Sequence, residues 1–116
     1  MAYTTINKST DYHGTMTWSG NNSTQTITFA AYNGSAQFQP DWTWIKQRNG
    51  TADHRIVDAV RGATKDIYSN LTAVEGTNTN GLTAFNSDGF VLGSDGGYNG
   101  SGGTYVGWNW KAGGGQ

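Results

Sequence analysis

The clearest indication of the fold comes from Leu82–Gly115, which reads LTAFNSDGFVLGSDGGYNGSGGTYVGWNWKAGGG. Two short apolar runs flank the turn Asn86–Gly89, in which glycine occupies a position that requires a positive φ. A segment with six glycines among its eleven residues, 93–103, comes next. The run Thr104–Lys111 then places every second side chain on the same face. This succession of strands and turns, without helical periodicity, predicts an antiparallel β-protein.

Alternating runs precede this stretch and extend the same pattern. Residues 15–29 alternate polar and apolar side chains around the turn Gly20–Ser23, which predicts a hairpin. Further strands are predicted at Asp41–Gln47, His54–Val60 and Asp66–Asn70. Since no segment repeats apolar residues at helical spacing, the 116 residues predict one all-β domain, an antiparallel sandwich or barrel. The predicted divisions are an N-terminal arm at 1–13, a β-sandwich domain at 14–111 and a glycine-rich tail or connector at 112–116.

The core material of this domain is mainly aromatic. Leu, Ile, Val and Phe contribute only 17 residues, whereas the chain has 5 Trp and 6 Tyr. So low a number of these four residue types indicates disorder only when the net charge is also high, and here the formal charge is −1. We therefore predict a folded domain in which each buried ring removes about 150–250 Å² from water. Because they alternate within their strands, we interpret four tryptophans as core residues and not as a sugar-stacking platform: Trp42, Trp44, Trp108 and Trp110.

Charge and composition argue against several classes of partner. The seven basic residues are scattered, and a near-neutral chain lacks the cationic face that nucleic acid requires. No apolar run approaches 18 residues, so no membrane span is predicted. The absence of cysteine excludes disulfides and thiolate metal sites. It also fits assembly in a reducing cytoplasm, which we expect because Met1–Thr5 shows no secretion signal.

The glycine-rich segment 93–103 holds the candidate ligand-binding residues. Tyr98 is expected to be exposed there and to stack on a sugar ring. Asp95 and Asn99, with Asp88 in the preceding turn, offer the oxygen ligands that Ca²⁺ prefers, but their spacing matches no calcium loop. Tight turns explain the same residues, because Asp and Asn side chains bond to their own backbone. We therefore name Tyr98, Asp95 and Asn99 as ligand-binding candidates and predict no metal and no cofactor.

No arrangement of catalytic residues emerges, and we predict that the protein is not an enzyme. The segment Arg61–Lys65 lacks the spacing of a phosphate-binding loop and is interpreted as a turn. Its first residue, Arg61, is predicted to form an ion pair with Asp58. His13 and His54 lie far apart in sequence, outside any metal-ligand spacing, and no obvious nucleophile accompanies them.

Four segments carry a resemblance to a known family. They read FQPDWTWIK at 38–46, DAVRGATK at 58–65, LTAFNSDGF at 82–90 and YVGWNWKAGG at 105–114. On these segments the chain resembles an uncharacterised family of tailed-bacteriophage virion proteins, common in marine and cyanobacterial phages and labelled tail fibre or tail protein. The resemblance implies a sandwich of the concanavalin-like jelly-roll type, placed as an N-terminal module before a glycine-rich connector.

The resemblance predicts a non-enzymatic virion structural protein, a module of a tail fibre or of a capsid-attached appendage or decoration protein. Its expected partners are other virion proteins and further copies of itself. Tyr3, Ile6 and Tyr12 are the candidate residues of a docking arm that would add a strand to a neighbour's sheet. The alternative is a glycan-binding module that contacts the host surface through the segment 93–103.

Overall fold

The computed structural model describes residues 9–29 and 37–112. Within them the chain forms nine strands, one turn of α-helix and one 3₁₀ turn at Ser9–Asp11. The strands are β1 (His13–Ser19), β2 (Gln25–Thr28), β3 (Trp42–Gln47), β4 (Arg55–Asp58), β5 (Lys65–Tyr68), β6 (Gly76–Thr77), β7 (Leu82–Asn86), β8 (Gly89–Leu92) and β9 (Thr104–Trp110), and the helix is α1 (Gly96–Asn99).

These strands form two antiparallel sheets. The larger sheet has the order β1-β9-β3-β4-β5-β6, and the smaller sheet has the order β2-β8-β7. All pairings within both sheets of the described residues are antiparallel. One face of each sheet contributes to a common core, so the predicted antiparallel β-sandwich is confirmed.

The core lies between the two sheets and is rich in aromatic rings. Its apolar residues include Met16, Trp18, Ile45, Val57 and Tyr105 from the larger sheet and Ile27, Leu82, Phe90 and Leu92 from the smaller sheet. The ring of Trp18 stacks on that of Tyr105, with centroids 5.9 Å apart, and meets Phe90 edge-on at 5.7 Å. Trp18 thus joins the two sheets through contacts worth about 0.5–1.5 kcal/mol each beyond the area they bury.

The hairpin of β7 and β8 forms where the sequence predicts it. Asn86 pairs with Gly89 at its turn. Gly89 has a φ of +155°, and a Cβ at this position would lie 1.9 Å from the carbonyl oxygen of Ile27. Glycine therefore both permits the backbone conformation and lets β2 approach β8.

The predicted hairpin over 15–29 is wrong. β1 pairs with β9 in the larger sheet, whereas β2 pairs with β8 in the smaller sheet. The turn between β1 and β2 bonds to the far end of the chain instead: Gly20 N donates to Gly103 O at 2.8 Å, and Asn22 N donates to Asn99 O at 2.7 Å. These distant carbonyls satisfy the backbone N–H groups of the turn as the chain crosses between the sheets. The composition of the turn itself does not predict them.

The interpretation of the four strand tryptophans as core residues is also wrong. Alternation correctly predicts that Trp42 shares a face with Trp44, and Trp108 with Trp110. That face is the outer face of the larger sheet. Three of these side chains are half-buried there, and Trp110 is 37% exposed.

Small and polar residues occupy the inward positions between these tryptophans. Thr43 and Asn109 are fully buried and joined by a hydrogen bond of 2.8 Å, and Asn109 Nδ2 also donates to Gly14 O at 3.1 Å. Gly107 lies under the ring of Trp18, where a Cβ would be 3.0 Å from the nearest ring atom. The space inside the sheet at these positions is therefore filled by Trp18 and by a polar pair, which leaves the alternate tryptophans outside.

Candidate functional site

Four tryptophans and two histidines form one surface on the outside of the larger sheet. Because β9 lies between β1 and β3, its outward residues have neighbours on both sides. The rows across these strands are His13–Trp110–Trp42 and Thr15–Trp108–Trp44. His54, just before β4, adds a ring whose centroid is 5.6 Å from that of Trp44. We call the following six residues the aromatic face: His13, Trp42, Trp44, His54, Trp108 and Trp110.

The rings of the aromatic face hold one another in place. Trp42 meets Trp110 with centroids 4.6 Å apart and meets Trp44 at 5.9 Å, with interplanar angles of 64° and 80°. Trp44 meets Trp108 at 5.7 Å and 64°. Such edge-to-face pairs contribute about 0.5–1.5 kcal/mol each beyond burial. The sheet register and these contacts together set the orientation of each ring.

His54 extends the aromatic face beyond β3. The indole Nε1–H of Trp44 donates to Nδ1 of His54 at 3.1 Å. An accepting Nδ1 carries no proton, so the neutral imidazole bears its proton on Nε2 and offers a donor there. The backbone N–H of His54 is in turn held by Oδ1 of Asn70 at 3.0 Å, and Asn70 Nδ2 donates to Asp53 Oδ1 at 2.9 Å. The loop before β4 therefore positions the imidazole.

A hollow of about 330 Å³ opens on this surface, and its lining consists of Trp44, His54, Trp108 and Trp110. Its volume lies at the lower end of the roughly 300–1,000 Å³ typical of small-molecule sites. Three indoles and one imidazole form its walls, and among the described residues no charged side chain lines it. We take the hollow as the candidate functional site. The sequence signal for it is the pair of Trp-x-Trp motifs, which alternation places on one face of each strand and hydrophobicity then assigns to the core.

The expectation that Tyr98 is exposed is wrong. Its side chain is 1% exposed, and its hydroxyl donates to Oδ2 of Asp66 at 2.9 Å. Burial, and then the nearby Asp66 carboxylate, raise the pKa of Tyr98 well above its ordinary value. Its carbonyl accepts the indole N–H of Trp18 at 3.0 Å. Tyr98 therefore belongs to the core, where its ring is not accessible to a sugar.

The other two ligand-binding candidates also serve the scaffold. Asn99 is fully buried, and its Nδ2 donates to Ser23 O at 2.6 Å and to Gly93 O at 3.0 Å. Asp95 caps α1, because its Oδ1 accepts the backbone N–H of Gly97 at 2.8 Å. Both side chains are thus engaged in hydrogen bonds that hold the fold together. Neither of them lines the hollow on the aromatic face.

A buried charged cluster escapes the sequence analysis. Nη1 of Arg55 donates to the Tyr68 hydroxyl at 2.7 Å and lies 3.6 Å from Oδ2 of Asp66. The Arg55 guanidinium carbon is 5.0 Å from the ring centroids of both Tyr68 and Tyr98. The register of β4 with β5 brings Arg55 and Tyr68 together, and α1 adds Tyr98, so no local motif reveals the cluster. The cluster ties the two strands to α1.

The predicted ion pair between Asp58 and Arg61 is confirmed. Nε of Arg61 lies 2.5 Å from Oδ2 of Asp58, and its backbone N–H donates to Oδ1 at 2.8 Å. Arg61 also reaches Oε2 of Glu75 at 3.2 Å and the carbonyl of Ile56 at 3.1 Å. Burial would raise the pKa of Asp58, but the hydrogen bonds and charge of Arg61 outweigh it and hold that pKa below its ordinary value.

Of the three docking-arm candidates, Tyr3 and Ile6 lie outside the described residues. Tyr12 is described and half-buried. Its carbonyl accepts the backbone N–H of Lys111 at 2.7 Å, and Nζ of Lys111 lies 5.6 Å from the centroid of its ring. Tyr12 is thus held beside the end of β9, and its role in docking stays a prediction.

Comparison with known proteins places the chain in a family. Within residues 9–29 and 37–112, no helix is long and apolar enough to cross a membrane, and no group of three or more His, Asp or Glu side chains is placed to hold a metal ion. No curated protein and no solved structure matches the chain significantly. A family described as a domain of unknown function, DUF7483, matches residues 8–116. Because this match spans nearly the whole sequence, the protein belongs to the DUF7483 family.

Proposed function

We propose that this domain is a non-enzymatic structural module of a tailed-bacteriophage virion, carried by a tail fibre or by a capsid-attached appendage or decoration protein. The aromatic face carries the proposal, because it places four tryptophans on the outside of a sheet whose other side already packs a core. A contiguous apolar patch at the surface is typical of a contact site. The whole-chain resemblance to tail proteins supplies the setting.

The proposed partners are other virion proteins and further copies of this chain. Tryptophan and tyrosine are enriched where protein surfaces meet, and closed symmetric oligomers are the usual form of such assemblies. The arm with Tyr3, Ile6 and Tyr12 would add contacts to a neighbouring subunit. Assembly in the host cytoplasm agrees with the absence of cysteine.

The bonding of the titratable side chains supports a role without catalysis. Asp58 is bonded to Arg61, and Asp66 accepts from Tyr98 beside Arg55. Within each pair the opposite charges bond to each other, Asp58 with Arg61 in a turn and Asp66 with Arg55 beside the core. A catalytic acid or base, by contrast, must be able to reach a substrate. Asp95 is likewise engaged, as the cap of α1.

The virion proposal is tested by tagging the protein in the phage that encodes it and purifying the particles on a density gradient. We expect a constant number of copies per particle and a β-sandwich on the tail or capsid in an electron-cryomicroscopy map. Deleting residues 2–12 should reduce incorporation, whereas Val74→Ala, at a side chain that is 87% exposed, should not. A protein that is abundant in the infected-cell lysate but absent from purified particles contradicts the proposal.

A glycan-binding module that contacts the host surface is the second candidate function. The hollow lined by three indoles and His54 favours it, because aromatic rings suit the apolar side of a sugar. The segment 93–103 no longer supports it, since the side chains of Tyr98 and Asn99 are buried.

A further inference from the structure

We propose that the hollow on the aromatic face binds a neutral sugar ring, with the apolar side of a pyranose against the indoles and a hydroxyl on Nε2 of His54. The size of the hollow supports a small ligand, because a volume of about 330 Å³ accommodates one ring. A stable protein interface, by contrast, buries a surface area of about 800 Å² on each partner. The proposal goes beyond a structural role in a virion, because it assigns a ligand class to the domain.

The charged side chains in the rows next to the hollow, Lys46 and Asp58, are already bonded within the fold. Lys46 lies in the row next to Trp44, and its Nζ donates to the carbonyls of Gln47 at 2.7 Å and Gly50 at 3.0 Å. Asp58, paired in register with Trp42, is bound by Arg61. No charged side chain of the described residues lines the hollow, so a phosphate, sulfate or carboxylate there would lose water without gaining a directly bonded counter-charge, which is unfavourable. The ligand is therefore neutral.

The walls of the hollow match the two kinds of group on a pyranose, its C–H groups and its hydroxyls. The face of an indole carries negative potential, and the C–H groups on one side of a pyranose present the complementary positive edges. The hydroxyls around the ring need polar partners, and the Nε2–H of His54 is such a donor at the wall. A pure hydrocarbon covering this donor would leave it without a partner, at a cost in affinity.

A quaternary ammonium is the competing ligand, since aromatic rings also attract such cations. Aromatic cages bind them by surrounding the cation. Here the rings lie side by side on neighbouring strands, with Trp44 on β3 and Trp108 and Trp110 on β9. The rings are inclined to one another by 57° and 64°, but one wall is the imidazole of His54, whose Nε2–H can donate to a sugar hydroxyl and not to a cation, so the sugar is the better fit.

The rings are ordered before a ligand binds. Trp44 is fixed by its hydrogen bond to His54 and by edge-to-face contact with Trp108. Binding therefore avoids much of the entropy cost of immobilising side chains. For one small ring we expect a Kd of about 1 mM, because few non-hydrogen atoms are bound. Several copies in one assembly would raise the avidity for a polysaccharide.

The test follows the five tryptophan indole N–H signals by two-dimensional NMR during titration. The ligands are glucose, galactose, mannose, rhamnose, N-acetylglucosamine and the disaccharides of glucose and galactose, with phosphocholine as the competing quaternary ammonium, each up to about 100 mM, well above the expected Kd. We expect at least one sugar to shift the signals of Trp44, Trp108 and Trp110. Trp18 is an internal reference, because its indole N–H is bonded to Tyr98 O inside the core and should not move.

Two variants link the shifts to the hollow. Trp110→Ala removes the most exposed of the four rings and should weaken binding about tenfold. His54→Phe keeps an aromatic ring but removes the Nε2 donor, and should weaken binding about five- to tenfold. Val74→Ala is the control and should bind like the parent. The unshifted Trp18 signal reports that each variant is folded.

Three results would overturn the proposal: no shift with any sugar, shifts with phosphocholine alone, or sugar affinity that is unchanged in both Trp110→Ala and His54→Phe. None of these bears on particle incorporation, which is measured with the tagged phage. A protein found in particles that binds no sugar refutes the sugar site and leaves the structural role standing. A sugar-binding protein absent from particles refutes the structural role and leaves the sugar site standing.

Discussion

The indole Nε1–H of Trp44 donates a hydrogen bond of 3.1 Å to Nδ1 of His54. The bond joins the outer face of β3 to the loop before β4 and makes two residues act as one wall of the hollow. It also fixes which imidazole nitrogen bears the proton, and so leaves Nε2 as a donor on a residue that lines the hollow. Replacing either Trp44 or His54 should therefore lower the stability of the domain and the affinity of the hollow for its ligand.

His54→Phe should lower the free energy of unfolding by about 1 kcal/mol, because the half-buried indole N–H of Trp44 loses its partner while a ring of similar size remains. Urea denaturation followed by circular dichroism measures this change. His13→Phe is the matched control: His13 packs on Trp110, with centroids 4.7 Å apart, without accepting an indole N–H. An equal loss in both variants would contradict a special role for the Trp44–His54 bond.

Tyr98→Phe should destabilise the domain by about 1–3 kcal/mol, because Asp66 is buried and would lose the hydroxyl that donates to it. Sugar binding at the hollow should not change, since Tyr98 is a buried core residue and does not line it. Thermal unfolding and the NMR titration measure the two effects. Tyr12→Phe, at a half-buried position, is the control and should be nearly neutral. Loss of sugar binding in a folded Tyr98→Phe protein would make the segment 93–103 a candidate site again.

Asn99→Asp should destabilise the domain by about 3 kcal/mol or more. The amide Nδ2 of Asn99 faces the carbonyls of Ser23 and Gly93, and a carboxylate oxygen in its place would meet acceptors without a proton to share. Asn22→Asp makes the same chemical change at an exposed turn and should have little effect. Chemical denaturation distinguishes them, and equal stability of the two variants would show that α1 is not held through Asn99.

The Asp58–Arg61 pair predicts a pH dependence. The pKa of Asp58 is lower in the folded than in the unfolded protein, so its stabilisation is complete above the unfolded value of about 4 and is lost as the pH falls through the folded value. Asp58→Asn should therefore cost about 1 kcal/mol at neutral pH and less in acid. Unfolding at several pH values tests this, with Asp11→Asn as the control. A cost independent of pH would be contrary evidence.

Local alternation was sufficient to predict eight of the nine described strands, missing the two-residue β6, but not the face that each strand buries. The pattern in β3 and β9 puts Trp42 with Trp44 and Trp108 with Trp110, and it is equally consistent with either side of the sheet. The side is chosen by distant partners: Trp18 lies over Gly107, which leaves no space there for an inward tryptophan. Hydrophobicity alone therefore assigns these rings to the core.

Glycine-rich composition misleads for a related reason. Tyr98 lies in a segment that reads as an exposed loop, yet its hydroxyl bonds to Asp66, 32 positions earlier. The turn after β1 similarly finds its partner in Asn99 instead of in a hairpin. The β7–β8 hairpin and the Asp58–Arg61 pair were predictable, because their partners lie within a few residues of each other.

The most direct measurement is a crystal structure of the domain soaked with the sugar that gives the largest indole shifts, at a concentration that saturates the titration. We predict a pyranose ring lying on Trp108 and Trp110, with one hydroxyl within hydrogen-bonding distance of Nε2 of His54. A hollow that stays empty at that concentration, or a sugar bound at 93–103, would contradict the assignment of a sugar site to the hollow.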